Sequence, residues 1–363
     1  MPSVSREQIN EALKSVSDAN LQLDLVSAGV VKDITVDQGR VGVRIELGYP
    51  AAGSRGQIIE AARAAVSRVP GVTSAEVTIN TSILSHAVQK GVKPLRQIRN
   101  TIAVASGKGG VGKSTTAINL ALALQSEGAR VGILDADIYG PSMPRMLGCH
   151  AKPESPDGKS IEPNVSYQIQ SMSIGYLINE ETPMIWRGPM VTSALEQLLN
   201  DTNWKDLDYL VIDLPPGTGD IQLTLCQKIP VSGAIIVTTP QDIALLDARR
   251  GLKMFEKVEV PVLGIIENMS THICSKCGHE EHIFGSGGGR QMAEQYNVEL
   301  LGALPLDIRI REGGDEGRPI VAMEPDSPIT AAYRAIARRV GAKLSLRSKD
   351  YSSKFPKIVI ENR

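Results

Sequence analysis

Aromatic residues are scarce. Three Phe, two Trp and eight Tyr make up 4% of the 363 residues, so aliphatic side chains and alanine must fill any core. Cysteine is as sparse, at four residues, too few and too unevenly spaced for a disulfide framework in a chain of this length. An excess of one charge is missing too: 39 Lys and Arg stand against 40 Asp and Glu, for a formal net charge of −1. With no basic run to focus a field, nucleic acid is not an expected partner. No apolar stretch approaches the roughly 18 residues a membrane helix needs, and residues 1–7 have no apolar segment of the secretory kind. A cytoplasmic location without a membrane partner is therefore expected. The remaining balance, 42% hydrophobic and 22% charged, is that of a globular protein. The length suits about two domains.

Residues 1–88 read as a small α/β domain. Ser5 is placed to N-cap a helix reaching Val16, and residues 30–35 and 40–47 are strand-like around Asp37-Gln38-Gly39. Ile58, Ala61, Ala62, Ala65 and Val66 share one side of a helix over 57–69, which Pro70-Gly71 stops before a strand-like 72–79. A polar stretch over 89–100, with Gly91 and Pro94, reads as a linker. The texture then changes. Over 101–342, apolar runs at 101–106, 130–134, 209–214, 234–239 and 262–267 alternate with helical stretches, the first from Ser114 to Ser126. Continuous apolar strands between helices predict an α/β fold, a mostly parallel sheet with helices on both faces. Ligands on such sheets bind beyond the carboxyl ends of the strands. Residues 343–363 form a polar, partly basic tail that contains Pro356 and is poorly suited to a membrane-binding helix.

Gly107, Lys108, Gly109, Gly110, Val111, Gly112, Lys113, Ser114 and Thr115 span the turn from the first core strand into its helix. The pattern Gly107-x-x-x-x-Gly112-Lys113-Ser114 in that context is a phosphate loop. Its glycines let the backbone wrap phosphates with N–H groups turned inward, and the helix N-terminus adds partial positive charge. Lys113 is expected to reach the outer phosphates of ATP, and the Ser114 hydroxyl to hold Mg²⁺. Asp213 closes the strand Tyr209-Leu210-Val211-Ile212 and is placed to hold the same Mg²⁺. Asp135 and Asp137 close the strand after the phosphate-loop helix. Either could orient an attacking water, or merely cap the next turn.

Lys108 makes the loop a Gly-Lys-Gly-Gly variant, which resembles the deviant Walker A motif of the MinD, ParA and nitrogenase-iron-protein class of ATPases. That resemblance implies that Lys108 crosses a dimer interface to the partner's nucleotide. Asp135-Ala-Asp-Ile-Tyr-Gly-Pro-Ser142, Trp186-Arg-Gly-Pro-Met190, Leu214-Pro-Pro-Gly-Thr-Gly-Asp220 and Glu267-Asn-Met-Ser270 narrow it. Together with the cysteine pair that follows, they resemble the Mrp/ApbC family of iron–sulfur cluster carriers over about residues 95–340. The resemblance implies that Asp137 is the switch residue nearest the γ-phosphate, Asp213 the Walker B carboxylate and Asn268 an adenine contact. Pro305 and Asp307 either line the base pocket or form a plain turn.

Cys274 and Cys277 offer two thiolates at metal-clamp spacing, too few for a four-cysteine cluster. Two chains supply four, which suits a bridging [4Fe–4S] cluster, the arrangement the resemblance implies. The chemistry of the residues leaves two rivals open: a zinc site completed by His272, His279 or His282, and a dithiol redox pair. Cys149 and Cys226 read as core residues, and Gly285-Ser286-Gly287-Gly288-Gly289, with no Lys-Ser after it, as a loop.

The first 80 or so residues resemble the PaaD-like domain that precedes many Mrp-type ATPases, with two departures. Asp18-Ala19-Asn20 stands where such domains carry an Asp-Pro-Glu-like turn, and Tyr49-Pro50-Ala51-Ala52 has no cysteine. The domain therefore brings no thiol; it docks a partner or the ATPase core, or serves structure alone. The expectation for the whole is an ATP-hydrolysing homodimer that takes a cluster from a donor and passes it to apo iron–sulfur clients. A MinD/ParA-like positioning ATPase is the alternative from another class; it shares the loop and Lys108 but has no need of Cys274 and Cys277.

Overall fold

A computed structural model of the chain describes residues 4–178, 188–274 and 276–347. Trp186 and Arg187, Ser275 and most of the expected tail lie outside the described residues.

The amino-terminal unit is a three-stranded sheet with two helices on it. Helix α1 (Arg6–Leu13) starts at a capping box in which the Ser5 hydroxyl and the Gln8 side chain each accept the other residue's amide. Two short strands, β1 (Ser17–Asp18) and β2 (Leu23–Asp24), pair before the hairpin of β3 (Val31–Asp37) and β4 (Arg40–Leu47). Its turn holds Gln38 and Gly39 at positive φ, as a two-residue hairpin loop requires. Helix α2 (Arg55–Ser67) buries Ile58, Ala62, Ala65 and Val66 but leaves Ala61 exposed, because Ala61 falls on the flank of that stripe. Strand β5 (Ser74–Thr81) then lies parallel to β4.

The second unit begins with β6 (Ile98–Ala105), which starts before the apolar run expected from Thr101. It continues through α3 (Lys113–Ser126), β7 (Val131–Asp135), α4 (Met143–Met146), β8 (Asn164–Ser166), β9 (Ile169–Ser173), α5 (Gly188–Asp201), β10 (Leu207–Asp213), α6 (Asp220–Lys228), β11 (Gly233–Thr238), α7 (Asp242–Lys257) and β12 (Val262–Glu267). A small hairpin, β13 (His272–Ile273) with β14 (Glu280–Glu281), leads to α8 (Gly288–Gln295), β15 (Leu300–Ala303), α9 (Ile308–Asp315), α10 (Ile320–Met323) and α11 (Pro328–Ser345).

The eight-stranded sheet runs β15-β12-β11-β6-β10-β7-β9-β8 and is parallel throughout except for β8 against β9. Along β6, Ala103 and Ala105 enter one apolar core and Ile102 and Val104 the other. The first core is covered by α5, α6 and α7, the second by α3 and α11. Both faces of the sheet are thus buried, which is why its central strands read as unbroken apolar runs rather than alternating ones. Among the described residues no helix is long and apolar enough to cross a membrane.

Two details bear on the expected boundaries. Within the stretch over 89–100, Gln89 donates to the carbonyls of Cys226 and Ile229 at 2.7 and 2.6 Å and accepts from the amide of Val231 at 2.8 Å. The polar tail does not begin at 343, because α11 runs to Ser345 and buries Leu344.

The two units meet at the carboxyl end of α3. Glu127, whose side chain is fully buried, accepts the amide of Gly53 at 2.7 Å, Nε of Arg334 at 2.7 Å and Nη1 of Arg338 at 2.6 Å. Its own carbonyl accepts the amide of Ala52 at 3.3 Å. The amino-terminal unit therefore satisfies polar groups at the end of the phosphate-loop helix, where unpaired carbonyls collect.

Candidate functional site

Strands β6, β7 and β10 end side by side, and each delivers one part of the site. Gly107 leaves β6 so close to α7 that a Cβ there would lie 2.2 Å from the carbonyl carbon of Asp247. Gly110 and Gly112 hold φ of 80° and 79°, the left-handed region open to glycine. A Cβ on Gly112 would also meet Nδ2 of Asn268 at 2.3 Å. That same Nδ2 donates to the carbonyl of Val111 at 2.9 Å, so Asn268, one residue beyond β12, clasps the loop from the far side. Lys108 is half-buried, and its carbonyl accepts the Ser106 hydroxyl at 2.9 Å.

Helix α3 begins at Lys113, whose Nζ donates to Asp213 Oδ1 at 2.6 Å and to the Ser114 hydroxyl at 3.2 Å. Asp213 is fully buried, and its Oδ2 has no hydrogen-bond partner. A buried, unpaired carboxylate oxygen next to a lysine and a hydroxyl fits a hydrated Mg²⁺, a hard cation that selects oxygen ligands.

The two remaining acidic residues take different parts. Asp135 is fully buried and receives the Ser173 hydroxyl and the amides of Ser142 and Met143 on Oδ2, at 2.9, 3.0 and 3.1 Å. Burial first, and then the charge of Asp213, push its carboxyl up to about 7. It fastens the segment after β7 to β9. Asp137 is half-buried; burial raises its carboxyl, while the ammonium of Lys113 pulls it back down.

A cleft of about 610 Å³ opens beside the loop, lined by Gly112, Ser114, Thr115, Asn268, Pro305 and Asp307 among others. Asp307 does two things: it lines the cleft, and its Oδ1 accepts the amide of Arg309 at 2.9 Å to cap α9. The Arg309 guanidinium holds its carboxyl below the usual carboxylate range. Sequence reading missed Arg145, Ile310 and Arg311 in this wall. The only signal for them was their place just after the Pro141-Ser142 and Pro305-to-Asp307 segments.

The cysteines sit on the loop between β13 and β14. The amide of Cys274 donates to the His279 carbonyl at 2.9 Å, and that of Gly278 to the Cys274 carbonyl at 2.8 Å. Cys274 is half-buried and Cys277 exposed. The amides of Cys277 and Lys276, with the Cys277 thiol, lower the Cys274 thiol toward the thiolate, the form that binds metal. Two histidines of the zinc alternative are each oriented by a carbonyl on one ring nitrogen. Nδ1 of His272 faces the Leu306 carbonyl at 3.1 Å, Nδ1 of His282 faces the Ser270 carbonyl at 3.0 Å, and His279 Nε2 lies 4.0 Å from Glu281. Among the described residues, no three His, Cys, Asp or Glu side chains are gathered where they could hold one metal ion. Cys226 is buried on α6, which pushes its thiol up to about 12, and Cys149 is half-buried against the core. The glycine run over 285–289, whose last two residues open α8, is not a second phosphate site, because Glu267 Oε2 accepts the Gly289 amide at 2.5 Å and fills that helix end with a carboxylate.

Loop, lysine and flanking acidic strand ends define the class: this is a P-loop NTPase. Comparison with known proteins carries the assignment further. Residues 97–341 match the model of the NUBPL iron-transfer P-loop NTPases, and residues 6–79 match an iron–sulfur cluster assembly protein model. The iron–sulfur cluster carrier protein of Haemophilus influenzae is 51% identical over 342 residues, 93% of this chain and 92% of the relative. The mouse iron–sulfur cluster transfer protein NUBPL is 51% identical over 266 residues, 73% of this chain and 83% of its own length. A nucleotide-binding protein from Archaeoglobus fulgidus, solved with ADP, superposes with a TM-score of 0.56 at 36% identity, covering 64% of this chain and 91% of that one. The chain belongs to the NUBPL iron-transfer P-loop NTPase family.

Proposed function

We propose that the protein hydrolyses ATP as a homodimer and carries a [4Fe–4S] cluster between its two subunits for delivery to apo iron–sulfur proteins in the cytoplasm. The observation that carries this reading is the donor count at the exposed loop. Each chain offers two thiols, one of them already biased toward thiolate, with no third ligand gathered among the described residues. Four-thiolate ligation then calls for a second chain. The cluster is cargo, and exposure of Cys277 leaves it reachable for transfer.

In this reading Gly107 to Thr115 wrap the phosphates and Lys113 turns from Asp213 to the β- and γ-phosphates. Ser114 and Asp213 hold Mg²⁺, which supplies charge neutralisation at the phosphoryl group. Asp137, more solvent-accessible than Asp135 at the end of β7, orients the water that attacks the γ-phosphorus as ADP leaves. Lys108 reaches the partner subunit's nucleotide. Asn268, Pro305 and Asp307 border the base. Neither nucleic acid nor a membrane enters the cycle.

The test uses reconstituted protein incubated anaerobically with an apoenzyme that needs a [4Fe–4S] cluster. Return of activity with wild type, and its loss with Cys274→Ala and Cys277→Ala, is expected. Equal activation by the variants would remove the cysteines from the carrier site.

A further inference from the structure

The nucleotide cleft and the cysteine loop share a wall at Leu306. Leu306 lines the cleft together with Asn268 and Met269. Its amide donates to the Thr271 carbonyl at 2.7 Å, and its carbonyl faces Nδ1 of His272 at 3.1 Å. A carbonyl oxygen only accepts, so Nδ1 carries the proton and donates. His272 opens β13, two residues before Cys274. Behind it, the amide and the hydroxyl of Ser270 both donate to the Leu304 carbonyl, at 2.9 and 3.0 Å. Further back, Asn268 clasps the phosphate loop at Val111. Residues 268–274 therefore run from the phosphate loop to the first thiol, bonded along the way to the strip 304–306 that borders the cleft. Met269 holds φ of 56° in this run, an arrangement that persists only where the surroundings fix it. The far side of the hairpin is anchored by His282 on the Ser270 carbonyl.

We propose that His272 is a positioning residue that passes the nucleotide state of the cleft to the thiols through its bond to Leu306. The inference rests on the reading of residues 107–115 as the nucleotide site and of Cys274 and Cys277 as the cargo site. A base entering the cleft presses on the strip 305–307. The two Leu306 bonds oblige residues 271 and 272 to follow, and Cys274 moves with β13. Without the imidazole one of the two Leu306 bonds is lost, only the Leu306 amide still holds the Thr271 carbonyl, and Cys274 follows the wall less closely.

The experiment uses the full-length apoprotein, reduced and free of iron, with iodoacetamide as the thiol probe. Alkylation rates of Cys274 and Cys277 are read by peptide mass spectrometry with and without Mg-ATP. In wild type, Mg-ATP changes the rates by roughly fivefold or more, the low end of ordinary coupling between sites. In His272→Ala, ATP still binds but the rates respond to it less. His272→Asn, whose side-chain amide can donate to the Leu306 carbonyl, recovers a response. His282→Ala alters the rates equally in both states and keeps the response. An undiminished response in His272→Ala overturns the proposal, as does a wild type whose thiols ignore Mg-ATP. Neither readout involves iron, so failure here is distinct from failure of cluster uptake, which bears on the carrier reading itself.

Discussion

Lys113 Nζ lies 2.6 Å from Asp213 Oδ1, the lysine 6% exposed and the aspartate fully buried. Asp213 in turn stands in register with Asp135 on the neighbouring strand. One buried ammonium thus stands beside two acidic side chains at the carboxyl edge of the sheet, Asp213 bonded to it directly and Asp135 raised toward its protonated form.

From this follows the first expectation. Lys113→Ala removes the cation that both the carboxylates and the phosphates require. The thermal stabilisation that Mg-ATP confers on wild type by binding the folded state should vanish. Asp213→Asn keeps the volume and a partner for the lysine but loses a ligand for Mg²⁺. It should bind ATP and hydrolyse it about 100-fold more slowly, the usual cost of one electrostatic group at a reacting centre. Steady-state ATPase rates and thermal shifts check both.

Asp135 sets a pH dependence. Its carboxyl is raised from 3.8 to about 7 in the fold, so the native state holds a proton that the unfolded chain releases. Its contribution to stability is fully present below the unfolded value and is lost as pH rises through about 7. Urea midpoints of the nucleotide-free protein should therefore fall between about pH 5 and pH 8, and Asp135→Asn should flatten that slope. An unchanged slope would mean that the carboxylate is already ionised at low pH.

Glu127 joins the two units. Replacing it with Ala removes the shared partner of Arg334 and Arg338, which are themselves partly exposed, and loss of hydrogen bonds to a charged group costs about 1.5–3 kcal/mol. Gly53→Val attacks the same joint sterically, since a Cβ there would meet Glu127 Oε1 at 2.7 Å. Both variants should lower the urea midpoint and expose the 82–97 segment to limited proteolysis, while distant surface changes such as Lys14→Ala should do neither.

Asn268→Ala removes the hydrogen bond to the Val111 carbonyl and one wall of the cleft. A bond of this kind contributes about 1 kcal/mol net, so the Kd for ATP should rise roughly five- to tenfold. Isothermal titration reads it directly.

Much of this was legible beforehand because it is local. The phosphate loop is a contiguous motif, and the strand over 262–267 is legible with the bounds it has, since a strand buried on both faces reads as a nearly continuous apolar run. What escaped detection depends on distant partners. The edge strand Leu300–Ala303 is short and half-buried, so it carries no long apolar run. Gln89 looks like a linker residue until Cys226 and Ile229 supply the carbonyls it bonds. The clasp of Asn268 on Val111 joins residues 157 positions apart, a relation that no local pattern encodes. The histidines near the cysteines were legible as potential ligands, but the carbonyls that engage two of them, at Leu306 and Ser270, were not.

The most direct measurement is the iron, sulfide and mass of the protein after anaerobic reconstitution. A cluster bridging two chains gives about two irons and two sulfides per chain in a species of dimer mass, lost together in Cys274→Ala and in Cys277→Ala. A monomer that retains about four irons per chain, or a cluster that survives either substitution, would contradict it.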